Sequence, residues 1–370
     1  MSRIAIVDPA LGFSKGHHIA AYETLSNELC KHEVCFIGQV NLKYELPSLK
    51  GYSCEYIPHF DIDFYALFGE TQNFKQNETQ FVQKLAAQYC SMFKQYKTDV
   101  YVYHTMSWEH AQALAIALVA CFSTGVECNH IVFAMFNPGL SYDLNALKSK
   151  DVLKFRLGFK SLAKQPNVRL FTSCSEYVNE YQHILQLAKP LGIHPVFFDN
   201  AKLDAIQKPK KKRILYLGDA KIEKGFSRLP DLVERYLQKN AKEIIAVQYD
   251  IHTEIKELLD TELRLLQLAK ANPNFKLVKG FLNDTEFLHW LDTAKSIELD
   301  YDEYIYSEKT SGLFWLAARR GLKINAPART WMAREQALLQ RADVDRPYFN
   351  KIFQPFSLWL DGILQGEMSE

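Results

Sequence analysis

Two stretches of the chain bring charged, small and hydroxyl residues together at spacings with chemical meaning: residues 214–226 (ILYLGDAKIEKGF) and 306–327 (YSEKTSGLFWLAARRGLKINAP). In the second, Thr310, Ser311 and Gly312 stand at the start of a predicted helix, with Glu308 just ahead of them. Free backbone N–H groups and the helix dipole make such a start a seat for phosphate. The same three residues also read as an ordinary N-cap followed by a small residue. In the first stretch a strand ends at Gly218, a loop carries Asp219, Lys221 and Lys224, and Gly225 precedes a helix. Taken alone, Lys224 reads as a surface lysine in a turn. Near the N-terminus, Gly12 and Gly16 frame GFSKG, which is neither a dinucleotide-binding GxGxxG nor a P-loop. His17 and His18 follow; one is expected to face a ligand and the other solvent. His104 closes the run DVYVY, and the carboxyl edge of a parallel strand is where ligands bind. Asn137, in FNPG, can donate a hydrogen bond to a hydroxyl but cannot shuttle a proton. His110 and His130 read as structural.

The elements needed to position these residues alternate along the whole chain. Residues 3–7 (RIAIV) are a short apolar, β-branched run, read as a buried first strand. An amphipathic helix over 18–30 and a strand over 33–37 complete an opening βαβ unit. Helical periodicity returns at 81–96, and strands are predicted at 99–103, 130–136 and 168–173, with a helix from Trp108. The apolar stretch 111–122 is too short to span a bilayer and reads as a buried helix. The basic run 208–213 (KPKKKR) resembles a nuclear localisation signal by itself. Running into a clear strand at 214–217, it reads as a solvated linker. Helices at 229–238, 254–271, 283–294 and 312–320 then alternate with strands at 243–247, 276–278, 296–299 and 323–325. Asn283 with Glu286 makes a capping box for the third of these helices. An aromatic tail over 348–364 reads as a helix returning to the first domain. The pattern is α/β: two Rossmann-like doubly wound parallel-sheet domains, with a hinge near 190–210.

The segment 214–226 resembles the start of the nucleotide-sugar domain in glycosyltransferase family 4, which reads strand, Gly-Arg, short loop, Lys-Gly. The resemblance is firmer over 213–327 and looser over 3–37 and 99–200. It implies the GT-B architecture, two Rossmann-like domains facing a cleft. Residues 1–195 would be the acceptor-side domain, 196–345 the nucleotide-sugar domain, and 346–370 a helical tail packing back on the first. It implies transfer of a sugar from a nucleoside diphosphate sugar to an acceptor hydroxyl, retaining and without a metal. The family grips the donor diphosphate with an Arg and a Lys, because fixed cations stabilise the charge gathering on the leaving group. Lys224 matches that Lys, Asp219 stands where the Arg belongs, and Lys221 is placed to supply the missing charge. Glu308 matches the first of two glutamates eight residues apart and would contact the donor sugar. The second, which holds the ribose hydroxyls, is Leu316 here. Gly16 would lie near the diphosphate. His104 and Asn137 would face the reacting sugar, Asn137 standing where the family carries its main cleft histidine.

The net charge of +1 gives no electrostatic case for nucleic acid, and RNA-binding signatures are absent. The 7 Cys are odd in number and lack zinc-knuckle or CxxC spacing, so they read as reduced thiols of a cytoplasmic protein. Residues 1–12 do not read as a signal peptide, because Asp8 interrupts them. No metal motif stands out, and Asp300-Tyr301-Asp302 reads as a loop of ordinary acids. The expected partners are a nucleotide-sugar donor and a glycan or lipid-linked acceptor, with at most peripheral contact at the inner face of a membrane. The loop 61–68 (DIDFYALF) is the segment expected on the acceptor side. Two alternatives remain: a nucleotide-sugar epimerase of the same fold, and a retired transferase serving as a binding or scaffolding subunit.

Overall fold

The structure, a computed structural model, describes residues 1–12, 17–42, 54–62, 74–122, 128–135, 138, 148–187, 191–197, 213–239, 243–253, 255–280, 282–341 and 346–366. Gly16, Asn137, the basic run 208–212 and loop residues 63–68 lie outside the described residues. The chain divides into two compact units, Met1–Leu203 with Asn350–Glu370, and Asp204–Phe349.

Unit 1 runs β1 (Arg3–Val7), α1 (His17–Glu28), β2 (Glu33–Gln39), β3 (Glu55–Phe60), α2 (Phe74–Gln95), β4 (Val100–Met106), α3 (Trp108–Phe122), β5 (Asn129–Ala134), α4 (Lys148–Ala163), β6 (Val168–Thr172), α5 (Ser175–Leu185) and β7 (Gly192–Ile193). These strands form one parallel sheet in the order β3-β2-β1-β4-β5-β6-β7. Side-chain alternation splits each strand between two faces. Ile4 and Ile6, Val100 and Val102, and Ile131 and Phe133 pack against Tyr22 and Leu25 of α1 on one face. On the other, Tyr101 and Tyr103 meet Phe93 and Tyr89 of α2 edge-on. The chain returns to unit 1 at its end. Of α11 (Arg346–Phe353) and α12 (Phe356–Leu364), α12 buries Phe356, Trp359, Leu360 and Ile363 in the first of those faces. Glu28 caps α12, its Oε2 accepting the Phe356 N–H at 2.6 Å, and His32 Nε2 meets Asp361 at 3.1 Å.

Unit 2 runs β8 (Arg213–Tyr216), α6 (Leu229–Lys239), β9 (Ile244–Tyr249), α7 (Lys256–Ala271), β10 (Phe275–Lys279), α8 (Asp284–Thr293), β11 (Ala294–Glu298), α9 (Gly312–Arg319), β12 (Lys323–Asn325) and α10 (Trp331–Gln340). Its parallel sheet is ordered β10-β9-β8-β11-β12. Tyr216, Ile245, Val247 and Phe275 pack there with Leu229 and Val233 of α6 and Leu258 and Leu265 of α7. Both halves of the capping box at Asn283 and Glu286 are made.

Several features differ from the sequence reading, which also passed over α4, α5 and α10. β3 escapes it because Pro58 interrupts the run; β3 is an edge strand, where a missing N–H costs little. β7 is only two residues long. The aromatic tail is two helices, broken at Pro355, whose ring cannot continue the first. Finally, α3 is buried on one side only: Ile116 and Val119 are 48% and 65% exposed.

Unit 1 buries three histidines that carry the packing of the second face and of the β7 edge. His130 stacks on Tyr101 at 5.5 Å and bonds the Tyr103 hydroxyl at 3.0 Å; His110 meets the Ser107 hydroxyl at 2.8 Å; His194 stacks on Phe197. Burial pushes all three imidazoles down to about 4. An exposed imidazole titrates near 6.5, so below that pH the unfolded chain takes up protons that the folded chain refuses. The contribution of these rings should be complete above pH 6.5 and fall toward pH 4, by up to ~3 kcal/mol for each; Glu109, pushed up to about 7 by burial, acts in the opposite sense and offsets about one ring's share. The unfolding midpoint should decline as the pH is lowered from 6.5 to 5, and His194→Gln should flatten the decline. A midpoint independent of pH over that range would contradict this account.

Candidate functional site

Among the described residues, each unit gathers polar groups at the carboxyl edge of its sheet where the strand order reverses direction. In unit 1 this is between β1 and β4, in unit 2 between β8 and β11. Crevices at such switch points are where open α/β sheets bind ligands.

In unit 1 the residue after β1 is Asp8, one step beyond the last paired residues, Val7 and Tyr103. The same register sets it beside His104. The Asp8 N–H continues the ladder to the Ile37 carbonyl at 3.0 Å, and its Oδ1 accepts the Ala10 N–H at 3.0 Å. That fixes the carboxylate so that Oδ2 accepts from His18 Nδ1 at 2.6 Å and His104 Nδ1 at 3.2 Å. All three are nearly inaccessible, at 1%, 6% and 3% exposure. Burial alone would raise the Asp8 pKa. The charge of His18 and the hydrogen bonds from both rings outweigh it and hold the carboxyl well below its usual range. A carboxylate only accepts, so each facing Nδ1 carries a hydrogen. The Thr105 hydroxyl, 2.8 Å from the same Nδ1, and Phe197, 5.0 Å from the ring, fix the orientation further.

The arrangement suits accepting a hydrogen bond or proton from a hydroxyl. The ligating atoms of Asp8, His18 and His104 also lie within 4.8 Å of one another. Two imidazoles and a carboxylate are a donor set for a divalent transition metal after a small expansion. The 2.6 Å spacing is that of a shared proton.

In unit 2 the loop after β8 turns at Gly218, at φ +121°, which donates its N–H to Gln248. The 3₁₀ turn Ile222–Lys224 ends at Gly225, at φ +78°, where a β-carbon would collide with the Asp300 carbonyl. Only glycine fits that close approach. The Asp302 N–H donates to the Glu223 carbonyl at 2.8 Å, tying the β8 loop to the loop after β11. The two motifs, some ninety residues apart in sequence, thus share one sheet edge. Asp219 accepts from Lys224 Nζ at 3.0 Å and lies 3.6 Å from Lys221 Nζ and 3.4 Å from His252 Nε2. Burial would raise its pKa; Lys224, first among its partners, brings it below the usual value. Partial desolvation lowers the pKa of Lys309, Glu223 opposes, and the positive charges of Lys221 and Lys224 lower it further. Three lysines therefore share one electrostatic neighbourhood. Across the same edge, Ser311 caps α9 by accepting the Phe314 N–H at 3.3 Å and also bonds Tyr301. The space beside Gly312 is open. Glu308 and Thr310 are half-buried just ahead of that helix, and Leu316 is half-buried one turn in.

Several sequence expectations can now be placed. His104 lies within β4, which continues to Met106 because the parallel pairing with β5 does. Of the adjacent histidines, His18 is buried, and the His17 side chain lies outside the described ones. Gly12 is a packing glycine: a β-carbon there would collide with Gln39, whose side chain is tied to the carbonyls of Pro9 and Ile62. Asp300 and Asp302 are committed locally, Asp300 to Arg228 and Asp302 to the N–H groups of Tyr304 and Ile305. Sequence reasoning missed Asp8 as a site residue, though a lone acid directly after a buried strand marks a carboxyl edge. It also missed Lys309 and His252.

Neither a family model nor a curated protein matches the sequence. Solved structures do. The chain is similar to the N-terminal domain of Candida albicans trehalose-6-phosphate phosphatase, with a TM-score of 0.58 at 11% identity over 100% of this chain and 89% of that one. It is similar to Anabaena HepE in complex with UDP and glucose, with a TM-score of 0.52 at 11% identity over 99% and 100%. UDP-GlcNAc 2-epimerase from Methanocaldococcus jannaschii follows at 0.51 and 13% identity over 98% and 99%. These likenesses establish the architecture, two parallel-sheet α/β domains of the GT-B type.

The ion pairs at Asp219 generate a direct expectation. A partly exposed pair counts for up to ~1 kcal/mol, so Asp219→Asn should tighten inorganic pyrophosphate binding by roughly fivefold. Calorimetric titration measures this. Unchanged affinity would show that Asp219 does not compete for these lysines.

Proposed function

We propose that the chain is a glycosyltransferase that moves a sugar from a nucleoside diphosphate sugar to an acceptor hydroxyl, with retention of configuration and without a metal. One observation carries the reading. At the switch point of unit 2, a lysine cluster and the capped start of α9 share one edge, held by the Asp302–Glu223 hydrogen bond. Fixed cations and free N–H groups at one place suit a leaving diphosphate, because they lower its energy most as charge develops. The structural neighbours in complex with UDP and sugar support it.

In this reading Lys224, with Lys221, neutralises the diphosphate, and Thr310, Ser311 and Gly312 offer backbone N–H groups. Gly16 lies near the same phosphates. Glu308 positions the donor sugar. Residues 196–345 are the nucleotide-sugar domain, and 1–195 are the acceptor side, with 346–370 as its helical tail. There His104 presents its Nε2 to a sugar hydroxyl, and Asn137 donates to another. The acceptor is a glycan or a lipid-linked sugar, and the protein works in the cytoplasm. No helix among the described residues is long and apolar enough to cross a membrane. Likeness to the epimerase keeps a second reading in view, turnover of the nucleotide-sugar alone.

The first test is a thermal-shift panel of UDP-, GDP-, dTDP- and ADP-sugars on the wild-type chain and on Lys224→Ala. One nucleotide should stabilise the wild type. The substitution should weaken the nucleoside diphosphate far more than the nucleoside, by roughly 1.5–3 kcal/mol for a charge-assisted hydrogen bond. Equal losses would remove Lys224 from the diphosphate site. Absence of all nucleotide binding would favour a scaffolding subunit, and consumption of the sugar nucleotide without acceptor would favour an epimerase.

Leu316 generates the second test. It has no acceptor for the ribose hydroxyls, so removing the 2′- or 3′-hydroxyl should weaken binding by less than about tenfold, or ~1.4 kcal/mol. Larger losses for both deoxy nucleotides would mean that another acid holds the ribose.

A further inference from the structure

The outer face of unit 1 carries an apolar surface that neither candidate site uses. On α3, Ile116 and Val119 are 48% and 65% exposed; on α4, Leu153 and Leu157 are 56% and 53% exposed. The two helices are neighbours. A β-carbon on Gly158 of α4 would press on the Trp108 carbonyl and on Ala111 and Gln112 of α3, so the absence of a side chain there lets them close together. Spacings of three and four residues put each pair of aliphatics on one side of its helix.

Charge decides what such a surface fits. Over 152–164 the chain has four basic residues, Lys154, Arg156, Lys160 and Lys164, and no acid. Lys154 is drawn inward, to Glu78 at 2.6 Å and over the Trp108 ring. Lys160 follows Leu157 at +3, on the side of the helix that Leu153 and Leu157 occupy, and exposed Lys164 lies in the turn just past the helix end. Exposed leucines with lysines beside them make an interfacial surface: the aliphatics enter the acyl boundary while the ammonium groups meet anionic headgroups. A second copy of the same helix would set lysine against lysine. A nucleic acid would use the charges but leave the leucines in water.

Unit 2 offers a contrast. Its α7 face also exposes leucines, Leu259, Leu263 and Leu266, but Glu257 and Asp260 share the helix, and Arg264 is already bound to Asp231 at 2.7 Å. That face has no net sign.

From this we infer that the α3–α4 face docks on the surface of a bilayer containing anionic phospholipid. This goes beyond the proposed transfer reaction and does not depend on it. The test is co-sedimentation of the full chain with vesicles of phosphatidylcholine alone and of phosphatidylcholine mixed with phosphatidylglycerol. The chain should bind the mixed vesicles, bind phosphatidylcholine alone weakly, and be released by high salt. Leu153→Ser with Leu157→Ser, and separately Lys160→Glu with Lys164→Glu, should each lower the bound fraction roughly tenfold. Leu153, Leu157 and Lys164 are exposed and Lys160 is half-buried with its charge at the surface of α4, so the unfolding midpoint should stay where it is, which separates lost docking from lost folding. Leu259→Ser with Leu263→Ser on α7 should leave binding unchanged. No binding to the mixed vesicles, or equal loss from the α7 pair, would overturn the inference.

Discussion

The parallel hydrogen-bonded register of neighbouring strands is the constraint on which the rest of this structure depends. In a parallel sheet every carboxyl end points the same way, so the side chains just past those ends are gathered whatever their distance in sequence. Pairing of Val7 with Tyr103 delivers Asp8 to His104 across some ninety-six positions, and the adjoining helix start delivers His18. Pairing of β8 with β11 does the same in unit 2. Residues 219–225 come to residues 300–302 and, beyond them, to the start of α9. Both chemical clusters are by-products of strand order. Shifting either register by one residue would turn the side chains to the opposite face and disperse the cluster.

Burial sets how much each cluster can tolerate. Asp8 is a carboxylate with almost no access to solvent, a state that is expensive unless hydrogen bonds and charge replace the lost water. The Ala10 N–H and two imidazoles supply that replacement, so the triad has one arrangement and little freedom. The lysine group of unit 2 is partly solvated, with Lys224 and Lys221 21% and 46% exposed at their side chains. There the ion pairs are partly solvated and correspondingly weak. The first cluster is suited to orienting a group, and the second to receiving an anion that changes its charge as it leaves.

How much of this could be read from the sequence follows from the same geometry. The alternation of strands and helices was legible because each buried strand is a short run of apolar residues bounded by polar loops. Residues 214–217 and 323–325 showed it clearly, and the cap at Asn283 is a local pattern with a local cause. β3 was hidden because Pro58 argues against a strand wherever edge position is unknown, and edge position is a tertiary property. The Asp8, His18 and His104 cluster has no motif: its members are ten and eighty-six residues apart, and only the register joins them. Lys309 was passed over because its relevance lies in Lys221 and Lys224, which reach it through folding alone.

This difference bears on how departures from a sequence pattern should be weighed. A phosphate responds to the summed field of nearby cations, and that sum is indifferent to which residue supplies each charge. An acid at position 219 where a cation would be expected is therefore recoverable. Lys221 and Lys309 lie in the same neighbourhood, and Asp219 itself is held by Lys224, Lys221 and His252. A hydrogen-bond acceptor has no such latitude, because it acts along one direction and within about 3 Å. Leucine at position 316 removes an acceptor from one place, and a carboxylate elsewhere in the field cannot stand in unless its oxygen reaches the same point. Long-range charge is a property of the cluster and directed hydrogen bonding is a property of the position. On the proposed reading, of the departures at positions 219 and 316, Leu316 is the one that constrains the ligand.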